Sequence, residues 1–102
     1  MAEFVKIAKL SDVPEGGSKE VAAEGRIVAL YNVDGEIHAM DGICPHAGGP
    51  LGEGTLNQDV VTCPWHGWQF NVTNGHHCLN ANIRQTCFAV KVEDGEILVE
   101  LG

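Results

Sequence analysis

Basic side chains are scarce in this sequence: six Lys and Arg stand against 14 Asp and Glu, a formal net charge of −8. Nucleic-acid binding needs clustered Lys and Arg to neutralise phosphates, and no stretch supplies such a cluster. An acidic surface suits encounter with a basic protein partner, or simply keeps a small protein soluble. Long apolar runs are missing too. No segment could span a bilayer, and Met1–Leu10 has neither the apolar stretch nor the cleavage site of a signal peptide. A cytoplasmic, non-membrane protein is expected. In that compartment the four cysteines should stay reduced unless something else holds them. Aromatic residues make up only 6%, whereas there are 13 Gly, which points away from a helical bundle and toward turn-rich β structure. With 102 residues, one domain over 1–102 is expected.

What is present follows a β grammar. Arg26–Asn32 and Glu36–Met40 flank Asp34–Gly35, and Cys87–Val92 and Glu96–Leu101 flank Asp94–Gly95. Asp-Gly supplies the positive φ angles of a tight turn, so each set predicts a hairpin. Glu3–Leu10 reads as an edge strand, and Val60–Thr62 and Gln69–Val72 as short strands, the latter ending at the Asn74–Gly75 turn. Ser11–Gly17 is loop chemistry. Asp41–Thr55, with five Gly and two Pro, and the compact Cys63–Trp68 fit neither helix nor regular strand. The expected fold is a small antiparallel all-β domain, a sandwich or barrel with little helix, from which two irregular loops project at about 41–55 and 63–70.

Each loop carries one thiol and one imidazole: Cys44 and His46 in the first, Cys63 and His66 in the second. Tight spacing lets both groups of a loop face one point, and two loops together offer two sulfur and two nitrogen ligands. Pro45 and Pro64 stiffen the chain directly after each Cys. Gly42, Gly48, Gly49 and Gly67 allow close backbone approach and offer N–H donors. Ligand types alone fit either a structural zinc ion or an iron–sulfur cluster. Zinc sites usually pair Cys with Cys and His with His around one ion, whereas one of each per loop suits a binuclear centre.

The run CPHAGGPLGEG followed by CPWHGWQFNVTNG resembles the two cluster-binding loops of the Rieske family, most closely the soluble ferredoxins of bacterial multicomponent ring-hydroxylating oxygenases. That resemblance implies one [2Fe–2S] cluster, with Cys44 and Cys63 on the inner iron and His46 and His66 on the outer one. Neutral imidazoles make the oxidised centre roughly uncharged and easier to reduce than a four-thiolate cluster. High-potential members of the family add a disulfide between the loops; Gly49 and Trp65 stand at those positions here. Those members also place hydroxyl donors where this chain has Trp68 and Phe70. A low potential is therefore implied, near the roughly −150 mV bottom of the family range. Family members often carry a proline-bearing third loop, but Cys78–Arg84 contains no proline.

The implied function is one-electron transfer from a flavin-containing reductase to a terminal oxygenase, by a monomer that is not itself an enzyme. Docking is expected through apolar tips around Pro45, Pro50, Leu51 and Trp65, with acidic groups steering from further away. Two other readings stand beside it: the Rieske-type small subunit of a nitrite reductase, and a zinc-stabilised binding module without redox function. Cys78 and Cys87 are expected to be non-ligating thiols rather than a disulfide. His76 and His77 are expected in solvent, His38 in a structural strand position, and Trp68 packed beneath its loop.

Overall fold

The computed structural model describes residues 3–43, 48–65, 67–80 and 82–101. Strands dominate, and the only helical elements among the described residues are the single 3-10 turns Leu10–Asp12 and Leu51–Glu53. Among the described residues ten strands run in order: β1 (Phe4–Lys9), β2 (Ser18–Ala23), β3 (Arg26–Val33), β4 (Glu36–Asp41), β5 (Thr55–Asn57), β6 (Val60–Thr62), β7 (Gln69–Asn71), β8 (Cys87–Phe88), β9 (Val90–Glu93) and β10 (Glu96–Glu100). They form three antiparallel sheets, ordered β1-β10-β9, β2-β3-β4-β8 and β5-β6-β7.

The Asp-Gly hairpins form as their chemistry requires. Asp34 and Gly35 have φ of 52° and 89°, and Asp94 and Gly95 have 51° and 77°, the paired positive values of a two-residue type I′ turn. Glu24 and Gly25 repeat this geometry, with φ of 51° and 78°, to join β2 to β3. The hairpin predicted for Cys87–Val92 is split: β8 pairs with β4, whereas β9 pairs with β10, so the chain changes sheets at Ala89. Two strands not expected from the sequence, β2 and β5, complete hairpins with β3 and β6.

β3 is the hinge of the architecture. All five residues from Val28 to Asn32 are buried. Because strand side chains alternate, Val28 and Leu30 join one core with Val13, Ile37, Ala39, Ile97 and Val99. Ala29 and Tyr31 face the other way, into a second core with Met40, Leu51, Val61, Cys63, Phe70 and Val72. The first core is the base. The second supports the candidate site.

Candidate metal centre

Both loops that carry the candidate ligands are pinned at their necks. In the first, Ile43 and Pro50 form an antiparallel bridge and Leu51 N donates to Gly42 O at 3.0 Å. Gly42 lies so close to β3 that an added Cβ would sit 2.7 Å from Ile27 Cγ2. In the second, β6 and β7 pair up to Thr62 and Gln69, and Cys63 N donates to Trp68 O at 2.7 Å. Tyr31 ties the first loop to the core: its hydroxyl donates to Leu51 O at 2.7 Å. Burial, and secondarily the negative charge of a Cys63 thiolate, push the Tyr31 phenol well above its usual range, so it stays a proton donor.

The two loops meet at Gly49. A Cβ built there would lie 2.8 Å from Cys63 Sγ and 3.0 Å from both Cβ and Cγ of Trp65. Any side chain would force the loops apart, so glycine is required by proximity. Cys63 is 1% exposed, and its sulfur accepts a hydrogen bond from Trp65 N at 3.4 Å. A buried sulfur with an amide aimed at it suits a thiolate held for metal binding.

Of the four expected ligands, Cys63 is described, whereas Cys44, His46 and His66 lie outside the described residues, as does Pro45. Among the described residues no group of three or more potential metal ligands gathers. Trp68 packs as expected, edge-on to His77 at 4.7 Å between centroids and 6.4 Å from Phe70. Trp65 is 49% exposed. Two expectations are corrected. Leu51 is wholly buried under the first loop and cannot belong to a docking tip, because Tyr31 draws that backbone into the core. His76 and His77 are half-buried rather than in solvent. His77 lies against Trp68 and Phe70, and its Nδ1 accepts from Leu79 N at 3.0 Å.

Cys78 and Cys87 remain thiols, and partial burial pushes the Cys87 thiol up. His38 lies on β4, with Nε2 3.0 Å from a Glu36 carboxylate oxygen. Sequence reasoning missed Gln85, whose side chain reaches the first loop's neck from 42 positions away. Its isolated amide gave no pattern to detect.

Charge is segregated. Between residues 42 and 86 the only charged side chains are Glu53, Asp59 and Arg84; the other 12 acidic and five basic side chains lie outside that span. Charge is thus sparse in the stretch that carries both loops and the acidic excess lies in the rest of the chain, of which Glu20 on β2 packs against Gly52 of the first loop. No helix among the described residues is long and apolar enough to cross a membrane.

Comparison with known proteins agrees with this geometry. The chain is 34% identical over 101 residues to the ferredoxin component of the naphthalene 1,2-dioxygenase system of Pseudomonas putida, covering 97% of this chain and 96% of that protein. It is 37% identical over 98 residues to the ferredoxin component of the alkene monooxygenase system of Xanthobacter autotrophicus, covering 95% and 80%. Among solved structures, a chain in the complex of reduced oxygenase and oxidized ferredoxin of carbazole 1,9a-dioxygenase superposes with a TM-score of 0.86 at 33% identity, covering 95% of this chain and 92% of that one. The Rieske [2Fe–2S] domain family matches residues 3–97, which settles the choice left open by ligand types: the cofactor is one [2Fe–2S] cluster, not a lone zinc ion. This chain, by its sequence and by its fold, belongs to the Rieske [2Fe–2S] domain family.

Proposed function

We propose that Cys44 and Cys63 hold one iron of the cluster and His46 and His66 the other, and that the chain is a monomeric, low-potential ferredoxin carrying single electrons from a flavin-containing reductase to a terminal oxygenase. The observation that carries this reading is the meeting of the loops, where Gly49 leaves room for nothing between its backbone and Cys63 Sγ. The relatives above, named as ferredoxin components of oxygenase systems, support the choice of acceptor.

The cluster supplies reversible one-electron chemistry when bound. The chain's residues set its terms. The Trp65 amide donates to the Cys63 sulfur and favours its thiolate. Phe70, fully buried below, offers no hydroxyl donor, and fewer donors stabilise added negative charge less. The potential is therefore expected at about −150 mV. Electrons leave by the edge bearing His46 and His66. With Leu51 withdrawn, the apolar docking rim includes, among the described residues, Pro50, Trp65, Ile43 (45% exposed) and Leu79 (90% exposed). Acidic side chains of the base steer approach from a distance.

Iron and sulfide analysis, with the electron-paramagnetic spectrum after dithionite reduction, tests the assignment. Two irons, two sulfides and a reduced signal with nitrogen couplings, lost on replacing His66, are expected. A four-thiolate spectrum indifferent to His46 and His66, or a potential above zero, would overturn it.

A further inference from the structure

Beside Tyr31 and Cys63, the polar side chains buried among the described residues are the two carboxamides of Asn32 and Gln85. Asn32 serves the base: its Nδ2 donates to Val13 O at 2.9 Å and its Oδ1 accepts from Gly35 N at 2.8 Å. Gln85 faces the site instead. Its Nε2 donates to Asp41 O at 3.0 Å and to Ile43 O at 2.6 Å, the two carbonyls flanking Gly42. Two acceptors converging on one atom need two protons there, which the carboxamide nitrogen has and its oxygen lacks.

The place matters as much as the bond. Ile43 immediately precedes Cys44, and its carbonyl belongs to the planar peptide joining the two residues. Ile43 is also held by its bridge to Pro50 and by donation from its N–H to Asp41 Oδ1 at 3.0 Å. Gln85 is itself fixed. Its backbone N donates to Gly75 O at 2.8 Å, its own carbonyl crowds Gly75 where a Cβ would stand, and neighbouring Thr86 O accepts from Asp41 N at 2.8 Å. The segment that carries it is bound at its other end to the second loop's exit, through Cys78 N donating to Gln69 O at 2.9 Å and the ring of His77 against Trp68. One stretch of chain thus grips the start of one ligand loop and the end of the other.

We infer that Gln85 is a positioning residue for the cluster: its carboxamide fixes the direction in which the first loop leaves Ile43, and so the placing of Cys44 and His46. This rests on the ligand assignment proposed above. Gln85 touches neither iron nor sulfide in this role; it acts through the peptide before Cys44. Leucine at 85 would leave both carbonyls without a donor, and glutamate would set a carboxylate oxygen against them.

The test compares the holoprotein with Q85L, Q85E and, as control, N32L, which removes the other buried amide. In the two Gln85 variants we expect loss of cluster to a chelator roughly 10–100-fold faster, the range typical when a partner of a metal ligand is removed, together with altered g-values of the reduced cluster and a shifted potential. N32L should melt earlier but keep the wild-type spectrum and potential. Wild-type release rate, spectrum and potential in both Gln85 variants would overturn the inference. Should those variants fail to fold, the unaltered holoprotein decides: slow hydrogen exchange of the Gln85 side-chain amide supports the clamp, and exchange at the rate of a solvent-exposed carboxamide refutes it. A wild-type protein lacking the nitrogen-coupled signal would instead count against the ligand assignment.

Discussion

The base and the site end solve different problems with the same antiparallel hairpin. In the base, three two-residue turns, Glu24–Gly25, Asp34–Gly35 and Asp94–Gly95, reverse the chain at once and carry no chemistry. At the site end, β6 and β7 are joined by the six residues Cys63–Trp68, and the first loop is tied at its neck by Leu51 N donating to Gly42 O. Short turns fix register cheaply, whereas longer loops must be clamped by contacts from elsewhere: Tyr31 on Leu51, Gln85 on Ile43 and Gly49 on Cys63. Charge divides the same way. The lesson is that stability and long-range field are assigned to one half, and chemistry with close-range apolar contact to the other.

The sharpest way to break the comparison is Cys63→Ser. Iron should fall to a trace, because one of the two proposed thiolate ligands is lost, and amides of β5–β7 should lose more protection from hydrogen exchange than those of β2–β4; equal loss throughout would show that the halves do not differ in this sense. Next in size is Gly49→Val, whose Cβ would press on Cys63 Sγ and Trp65. Overpacking typically costs about 1–3 kcal/mol, and here it should appear as lowered cluster content and a lower melting temperature. Gly35→Val, where a Cβ meets nothing within 4 Å but φ is +89°, should lower the melting temperature with full cluster content.

Leu79→Asp should weaken electron delivery to an oxygenase by about tenfold, the effect of losing a well-used interface residue, without moving the potential. A shifted potential would mean that Leu79 acts on the cluster and not on docking. The smallest effect belongs to the base. Glu24→Gln and Asp94→Asn should lower the bimolecular rate with a basic partner severalfold at low salt, and hardly at all once salt shortens the screening length to about 8 Å. An equal loss at both ionic strengths would indicate contact instead of steering.

Legibility in the sequence followed the range of the interactions. Asp-Gly turns are local chemistry, so β3, β4 and β10 could be placed from their own residues. The Glu24–Gly25 turn has the same geometry, but Glu is not a turn-forming residue and Ser18–Ala23 mixes charge with apolar side chains, so β2 was hidden. β5 directly follows a glycine-rich run that masks its start. At the site, the family and its cofactor were readable because metal chemistry constrains residue type and spacing in the two loops. The burial of Leu51 was not, since it depends on a tyrosine 20 positions earlier. Nor was the packing of His77, which depends on two rings brought beside it by a bridge between Phe70 and His77.

One strand lies between the halves, and its inside-outside alternation gives Val28 and Leu30 to one and Ala29 and Tyr31 to the other. Whatever tightens either face of that strand reduces the fluctuation of both, so the free energy of metal capture is felt well beyond the ligands. Iron supply would then govern not only how much of this protein can accept electrons but how long the polypeptide survives proteolysis.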